Sequence, residues 1–262
     1  MPKNTTSTTR PDRVTLFASC MVDQLAPDVG ESTVEILEYL GVTVDFLDNQ
    51  TCCGQPAFNS GFRSEAYPVA ERFVDLFEKV DGPIVVPSGS CAAMVRNYYV
   101  DLFRDNIELV DRAKQVGERL FELTEFITLF FGKHAISGKR EGAVTYHKCC
   151  HLLREIGVNE QPVDLLKNID GLKFSPLERA DVCCGFGGAF SVKMPDISSA
   201  ILNEKLDFIE ANGSSTVIAA DTGCIYQMQG GLRRRESNIQ VVHIAQVLAE
   251  SLKNIGSSEA KL

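Results

Sequence analysis

The chain has 262 residues, a formal net charge of −9, an apolar share of 44% and nine cysteines. That apolar share can bury a sizeable core without disulfide staples, and the acidic balance repels phosphate backbones, which excludes nucleic acid as a partner. No stretch is apolar enough for a membrane span or a signal peptide, so the expected compartment is the cytoplasm, where clustered cysteines bind metals or react rather than form disulfides.

In chain order, residues 1–11 are polar and threonine-rich and read as a disordered tail. Residues 14–18 form a short buried strand that ends just before Cys20. A helix follows over 34–40, with Val34, Leu37 and Leu40 on one stripe and Gly41 as its stop. A strand over 42–47 leads into Cys52-Cys53-Gly54, a second helix covers 65–77, and a buried strand over 84–86 delivers Cys91. The run Glu122-Leu123-Thr124-Glu125-Phe126-Ile127 opens a closing helix.

The same series then repeats. A strand at 144–146 precedes Cys150, and a helix at 163–169 is followed by Gly171. A strand over 172–177 leads into Cys183-Cys184-Gly185, a helix covers 197–209, a strand over 217–220 delivers Cys224, and 243–248 opens a closing helix. Cysteines and apolar pattern shift together, so each half repeats a whole structural unit; Cys149 alone has no counterpart. The expected fold is α/β, two pseudo-repeated small parallel-sheet halves over 12–138 and 139–255, each with a C…CCG…C motif, and a second tail at 256–262. Ligands of open parallel sheets collect beyond the carboxyl ends of the strands, and the eight repeated cysteines all lie just after strands.

Iron-sulfur clusters need several thiolates converging on one point, commonly four. The repeat supplies Cys20, Cys52, Cys53 and Cys91 in one half and Cys150, Cys183, Cys184 and Cys224 in the other. Gly54 and Gly185 permit a tight turn after each pair and free backbone N–H groups to bond sulfur. Eight thiols in two matching patterns exceed what buried small hydrophobes explain. Zinc is the competing metal, since four thiolates satisfy it, but the C-x-x-C spacing common in zinc sites is missing. One or two iron-sulfur clusters of the four-iron type are therefore expected, with zinc in one half as the other occupancy.

These residues resemble the cysteine-rich CCG domain family over nearly the whole chain. The resemblance rests on 52–61 (CCGQPAFNSG), 87–91 (PSGSC), 147–154 (HKCCHLLR), 183–188 (CCGFGG) and 221–224 (DTGC). It is nearest to the lactate-utilization branch, with heterodisulfide reductase and glycolate oxidase subunits as more distant relatives. The resemblance implies an iron-sulfur electron-transfer subunit of a lactate-oxidising complex, partnered by other subunits that include a ferredoxin-type iron-sulfur protein. Two departures stand out. Ser88 and Asp221 occupy positions where the heterodisulfide reductase relatives carry the first cysteine of a C-x-x-C, and Lys148-Cys149 replaces an Asp-Ser pair, leaving Cys149 as an extra thiol and an expected bystander.

His147 and His151 flank Cys150 and are cofactor-site candidates, as tuning, proton-relaying or ligating groups. No third group is identifiable that would orient Cys149 as a nucleophile. The Gly185–Gly188 stretch lacks the full dinucleotide pattern, and Arg233-Arg234-Arg235 reads as a solvated helix face. Two other functions compete with electron transfer: the catalytic subunit of a thiol or disulfide reductase, and a zinc-stabilised assembly protein.

Overall fold

Short, buried runs set the centre of each half. In the first, β1 (Arg13–Leu16) is exposed only at Arg13, as suits a strand covered on both faces. It leads into α1 (Cys20–Leu25) and α2 (Pro27–Tyr39), where Pro27 occupies the first turn and costs no hydrogen bond. There follow β2 (Thr43–Phe46), α3 (Gln55–Asn59), α4 (Arg63–Phe77), β3 (Ile84–Val86) and α5 (Gly89–Ala93). A π-helical turn at Met94–Tyr98 precedes α6 (Tyr99–Leu102), α7 (Ile107–Arg119), β4 (Leu120–Glu122) and α8 (Leu123–Phe130).

The second half runs β5 (Lys139–Tyr146), a π-helical turn at Leu152–Ile156, α9 (Gln161–Lys167), β6 (Asp170–Phe174), α10 (Phe190–Lys193) and α11 (Pro195–Asn212). It closes with β7 (Thr216–Ala219), α12 (Thr222–Arg234), β8 (Gln240–His243) and α13 (Ile244–Glu259). This computed structural model describes residues 9–259.

Among the described residues the strands form two four-stranded parallel sheets of the same order, β2-β1-β3-β4 and β6-β5-β7-β8. Leu16 pairs with both Phe46 and Val85, and Val144 pairs with both Phe174 and Thr216. The chain therefore leaves the first strand of each sheet to one side and returns on the other. That reversal opens a crevice beyond the carboxyl ends of β1 and β3, and of β5 and β7.

The α/β repeat matches the sequence expectation, with β3 at the expected residues. The observed chain adds elements absent from that expectation, among them α7, α12 and two strands. Leu120–Glu122 and Gln240–His243 are fourth strands that the sequence expectation lacks; they run straight into α8 and α13, whose starts fall where the sequence places the closing helices. Their three or four residues are too short to show a strand period beside the helical pattern that follows. Of the expected tails, residues 1–8 and 260–262 lie outside the described residues, while 256–259 continue α13.

The halves dock through α2 and α13, with Lys253 Nζ 2.9 Å from Glu35 Oε2 at the edge of that contact. The Tyr226 hydroxyl donates to the Leu25 carbonyl at 2.5 Å. Across the centre, Asp221 accepts from the Ser90 N–H at 3.0 Å and from the Ser88 hydroxyl at 3.3 Å. Ser88 and Asp221 also cap the helices that carry Cys91 and Cys224, accepting from Cys91 N and Gly223 N respectively. The two positions that depart from C-x-x-C thus join the sheet rims to each other.

Candidate metal centre

Each repeated cysteine sits where a strand hands over to a helix or loop. Cys20 opens α1 after β1, Cys91 lies in the first turn of α5 after β3, and the Cys52-Cys53 pair follows β2. Cys150, Cys224 and Cys183-Cys184 repeat this around β5, β7 and β6. The Cys20 thiol lies 3.5 Å from Cys52 Sγ, and the Cys53 thiol 3.4 Å from Cys91 Sγ. In the second half Cys184 and Cys224 are 3.1 Å apart, and Cys150 is hydrogen-bonded to Cys183.

All nine cysteines are unpaired, and all nine line one cavity between the two sheet rims. The sequence suggested two separate rims; the Ser88–Asp221 link turns them face to face. Cys53, Cys91, Cys184 and Cys224 are buried at its back, while Cys20, Cys52, Cys150 and Cys183 are half-buried toward its mouth. Ser19, Gln55, Pro56, Phe186 and Thr222 are among the other lining residues.

The CCG motif has a local explanation. Gly54 and Gly185 adopt left-handed backbone, φ +84° and +80°, which an L side chain enters at a cost. That turn directs the glycine N–H back at the first thiol of the pair, 3.4 Å to Cys52 Sγ and 3.3 Å to Cys183 Sγ. A hydrogen bond from Cys20 does most to lower the Cys52 thiol, to about 3, with Cys53 and the glycine N–H adding to it. Cys183 falls to about 2, chiefly through Cys150. The buried Cys53 and Cys224 move up, their largest causes being hydrogen bonds with Cys52 and Cys149 respectively. One thiolate stabilised beside protonated neighbours is a donor set ready for a soft cation.

The surroundings of the two quartets differ. Behind the first, Phe17 packs edge-on against Phe73 at 4.8 Å and Phe77 at 5.5 Å, and the Tyr99 hydroxyl donates to the Cys53 carbonyl at 2.9 Å. Behind the second, His147 stands in the place of Phe17, just beyond its strand, and Lys205 in the place of Phe73. A Cβ on Gly54 would meet the Ala66 carbonyl and one on Gly185 the Ser198 carbonyl, so α4 and α11 share this register. Lys205 is fully buried and donates to the Arg179 and Ala180 carbonyls at 2.9 and 3.1 Å.

His147 is fully buried, and burial holds its imidazole neutral, down at about 3. The Ala180 carbonyl is nearby, but neither ring nitrogen makes a hydrogen bond. His151 Nδ1 lies 3.7 Å from Cys150 Sγ. Sequence reasoning set Cys149 aside, yet this buried thiol lines the cavity beside Cys224. The missed signal was its place in register with Ser19, another cavity-lining residue.

A family model described as a cysteine-rich domain, CCG, matches residues 14–96 and 144–229, once in each half. The chain is 42% identical over 240 residues to lactate utilization protein A 2 of Bacillus cereus (strain Q1), covering 92% of this chain and 99% of that protein. It is 44% identical over 236 residues to lactate utilization protein A of Geobacillus sp. (strain WCH70), covering 90% and 98%. A crystal structure of a hypothetical protein from Helicobacter pylori shares the fold, with a TM-score of 0.67 at 11% identity; the likeness covers 96% of this chain and 53% of that one.

Proposed function

The chain belongs to the cysteine-rich CCG domain family, and from that premise we propose that it is an iron-sulfur electron-transfer subunit of a lactate-utilization system. The observation that carries the proposal is the convergence of both thiol quartets on one cavity. The lactate connection comes from relatives named for lactate utilization that align over nearly their whole length.

The donor chemistry fits the group: four soft thiols per half, each quartet with a glycine N–H aimed at sulfur, as iron-sulfur sites use to tune their thiolates. Cys20, Cys52, Cys53 and Cys91 hold one centre, and Cys150, Cys183, Cys184 and Cys224 the other. A cluster bound there supplies reversible one-electron storage. The buried cysteines keep water from the back of each centre, and the half-buried ones bring its front toward the mouth of the cavity, where a ferredoxin-type partner subunit exchanges electrons. His151 sits beside Cys150 as a tuning group. The repeat divides at 138/139, where β5 begins. Among the described residues no helix is long and apolar enough to cross a membrane, and we place the protein in the cytoplasm with its partners.

Anaerobic purification of the full chain, with iron, sulfide and zinc analysis and visible and EPR spectra, tests this reading. Iron and sulfide in equal amounts, with a reducible visible band, are expected. A colourless protein that holds zinc alone would overturn the electron-transfer role, and disulfide turnover by the isolated chain would favour a reductase.

A further inference from the structure

The second quartet has more donors around it than a four-thiolate centre uses. One ring nitrogen of His147, Cys149 Sγ and Cys224 Sγ all lie within 4.8 Å of one another. Cys149 is 3% exposed, makes only a long thiol contact of 3.9 Å to the His147 carbonyl besides its hydrogen bond to Cys224, and lines the same cavity as the quartet. His147 is wholly buried, with the Ala180 carbonyl near its ring and neither ring nitrogen in a well-aligned hydrogen bond. A buried polar group left without a good partner is costly, so an imidazole and a thiol facing the same cluster ligand mark a place where something binds. The first half has no such surplus: Phe17 and Ser19 stand at the corresponding positions.

We propose that Cys149 is a fifth thiol ligand of the second centre, able to replace the half-buried Cys150, with His147 as the polar group that faces it there. The assignment rests on the iron-sulfur reading and adds a residue to it. When Cys149 binds in place of Cys150, Cys149 gives up its thiol proton and Cys150 takes one up; no oxidation state changes. The second centre can then change its outer ligand without being lost, whereas the first is held by four thiols with no substitute.

The test compares iron and sulfide content and EPR spectra after anaerobic reconstitution of the full chain with ferrous iron and sulfide. Cys20→Ser should lose roughly half of the bound iron, because nothing replaces it. Cys150→Ser should keep nearly all of it with an altered EPR signal, and Cys149→Ser/Cys150→Ser should fall to the level of Cys20→Ser. Loss of iron in Cys150→Ser alone, or its retention in the double variant, would overturn the assignment. Serine stands naturally at position 19, and Cys149→Ala, checked for folding by circular dichroism, provides a second form of the double variant with the same expected loss. A wild-type chain that takes up no iron would instead bring down the function, and this ligand assignment with it.

Discussion

The two halves share strand order, motif and glycine turn, yet they surround their thiols with opposite chemistry. The first quartet rests on an aromatic group formed by Phe17, Phe73 and Phe77. The second rests on His147 and the buried Lys205 ammonium. A repeat keeps what the backbone needs, such as Gly54 and Gly185, and lets the rest diverge. The divergence lies within reach of the proposed centres, where charge and polarity set a reduction potential. If both proposed centres form, the first lies in apolar surroundings and the second among polar groups with a spare thiol beside it.

The largest test of that contrast removes an inner thiol. Cys53→Ser should lose the first centre entirely, roughly half of the iron in the chain, because among the described residues the first half has no fifth cysteine. Iron and sulfide analysis after anaerobic reconstitution reads the loss. Full retention would show that the first half also has a substitute, and the contrast would fail.

The glycine turns should break unequally. Alanine at either position pays about 1–2 kcal/mol for a left-handed backbone. At Gly54 the new Cβ meets the Ala66 carbonyl at 3.4 Å, an ordinary contact, but at Gly185 it would lie 2.5 Å from the Ser198 carbonyl. Backbone must move there. Gly185→Ala should therefore cost about 3–4 kcal/mol against about 1–2 for Gly54→Ala. Urea denaturation of the two variants measures the difference; equal losses would mean that α11 yields as readily as α4.

A third contrast lies at the last helix of each half. Glu122 caps α8, accepting from Thr124 N at 2.8 Å, and His243 caps α13, accepting from Ala245 N at 3.1 Å. Both are fully buried. Burial raises Glu122 from 4.5 to about 7 and lowers His243 from 6.5 to about 4. For Glu122 the folded chain binds the proton more tightly, so its contribution is complete below pH 4.5 and is lost as pH rises to about 7. For His243 the folded chain binds it less tightly, so stability is lost as pH falls from 6.5 to about 4. Each amounts to about 3 kcal/mol, and in the wild type they oppose each other. Glu122→Gln should expose a stability that climbs between pH 4 and 6.5; His243→Asn should expose one that declines between pH 4.5 and 7. Denaturation midpoints across pH 4–7 would show parallel profiles in both variants if the caps were not buried alike.

Much of this was legible in the sequence because it is periodic. The displaced cysteines, the apolar run at Ile84–Val86 and the glycine after each pair carry their own register. The facing of the two rims was not legible, since it depends on Asp221 reaching Ser88 and Ser90, and a cap residue looks the same whether it bonds only its own helix or another half as well. The role open to Cys149 was hidden for a similar reason. Only the packing of β5 against β7 brings the residues after Tyr146 beside Cys224. The fourth strands escaped because Leu120–Glu122 and Gln240–His243 pass into helices without a turn.

The smallest effect concerns Tyr99, which belongs to the first half alone. Its hydroxyl is wholly buried and donates to the Cys53 carbonyl at 2.9 Å, while its ring packs against Phe73 at 5.7 Å. Tyr99→Phe keeps the ring and removes the donor, leaving the carbonyl between the paired thiols and Gly54 without that partner. The expected cost is about 1 kcal/mol, because one neutral hydrogen bond is lost and the packing remains. The informative readout is which centre responds. An EPR signal or potential that shifts for the first centre while the second stays unchanged would confirm that the hydroxyl acts locally on Cys53. Equal shifts in both would mean that the shared cavity couples the two centres, and the division into one apolar and one polar site would have to be given up.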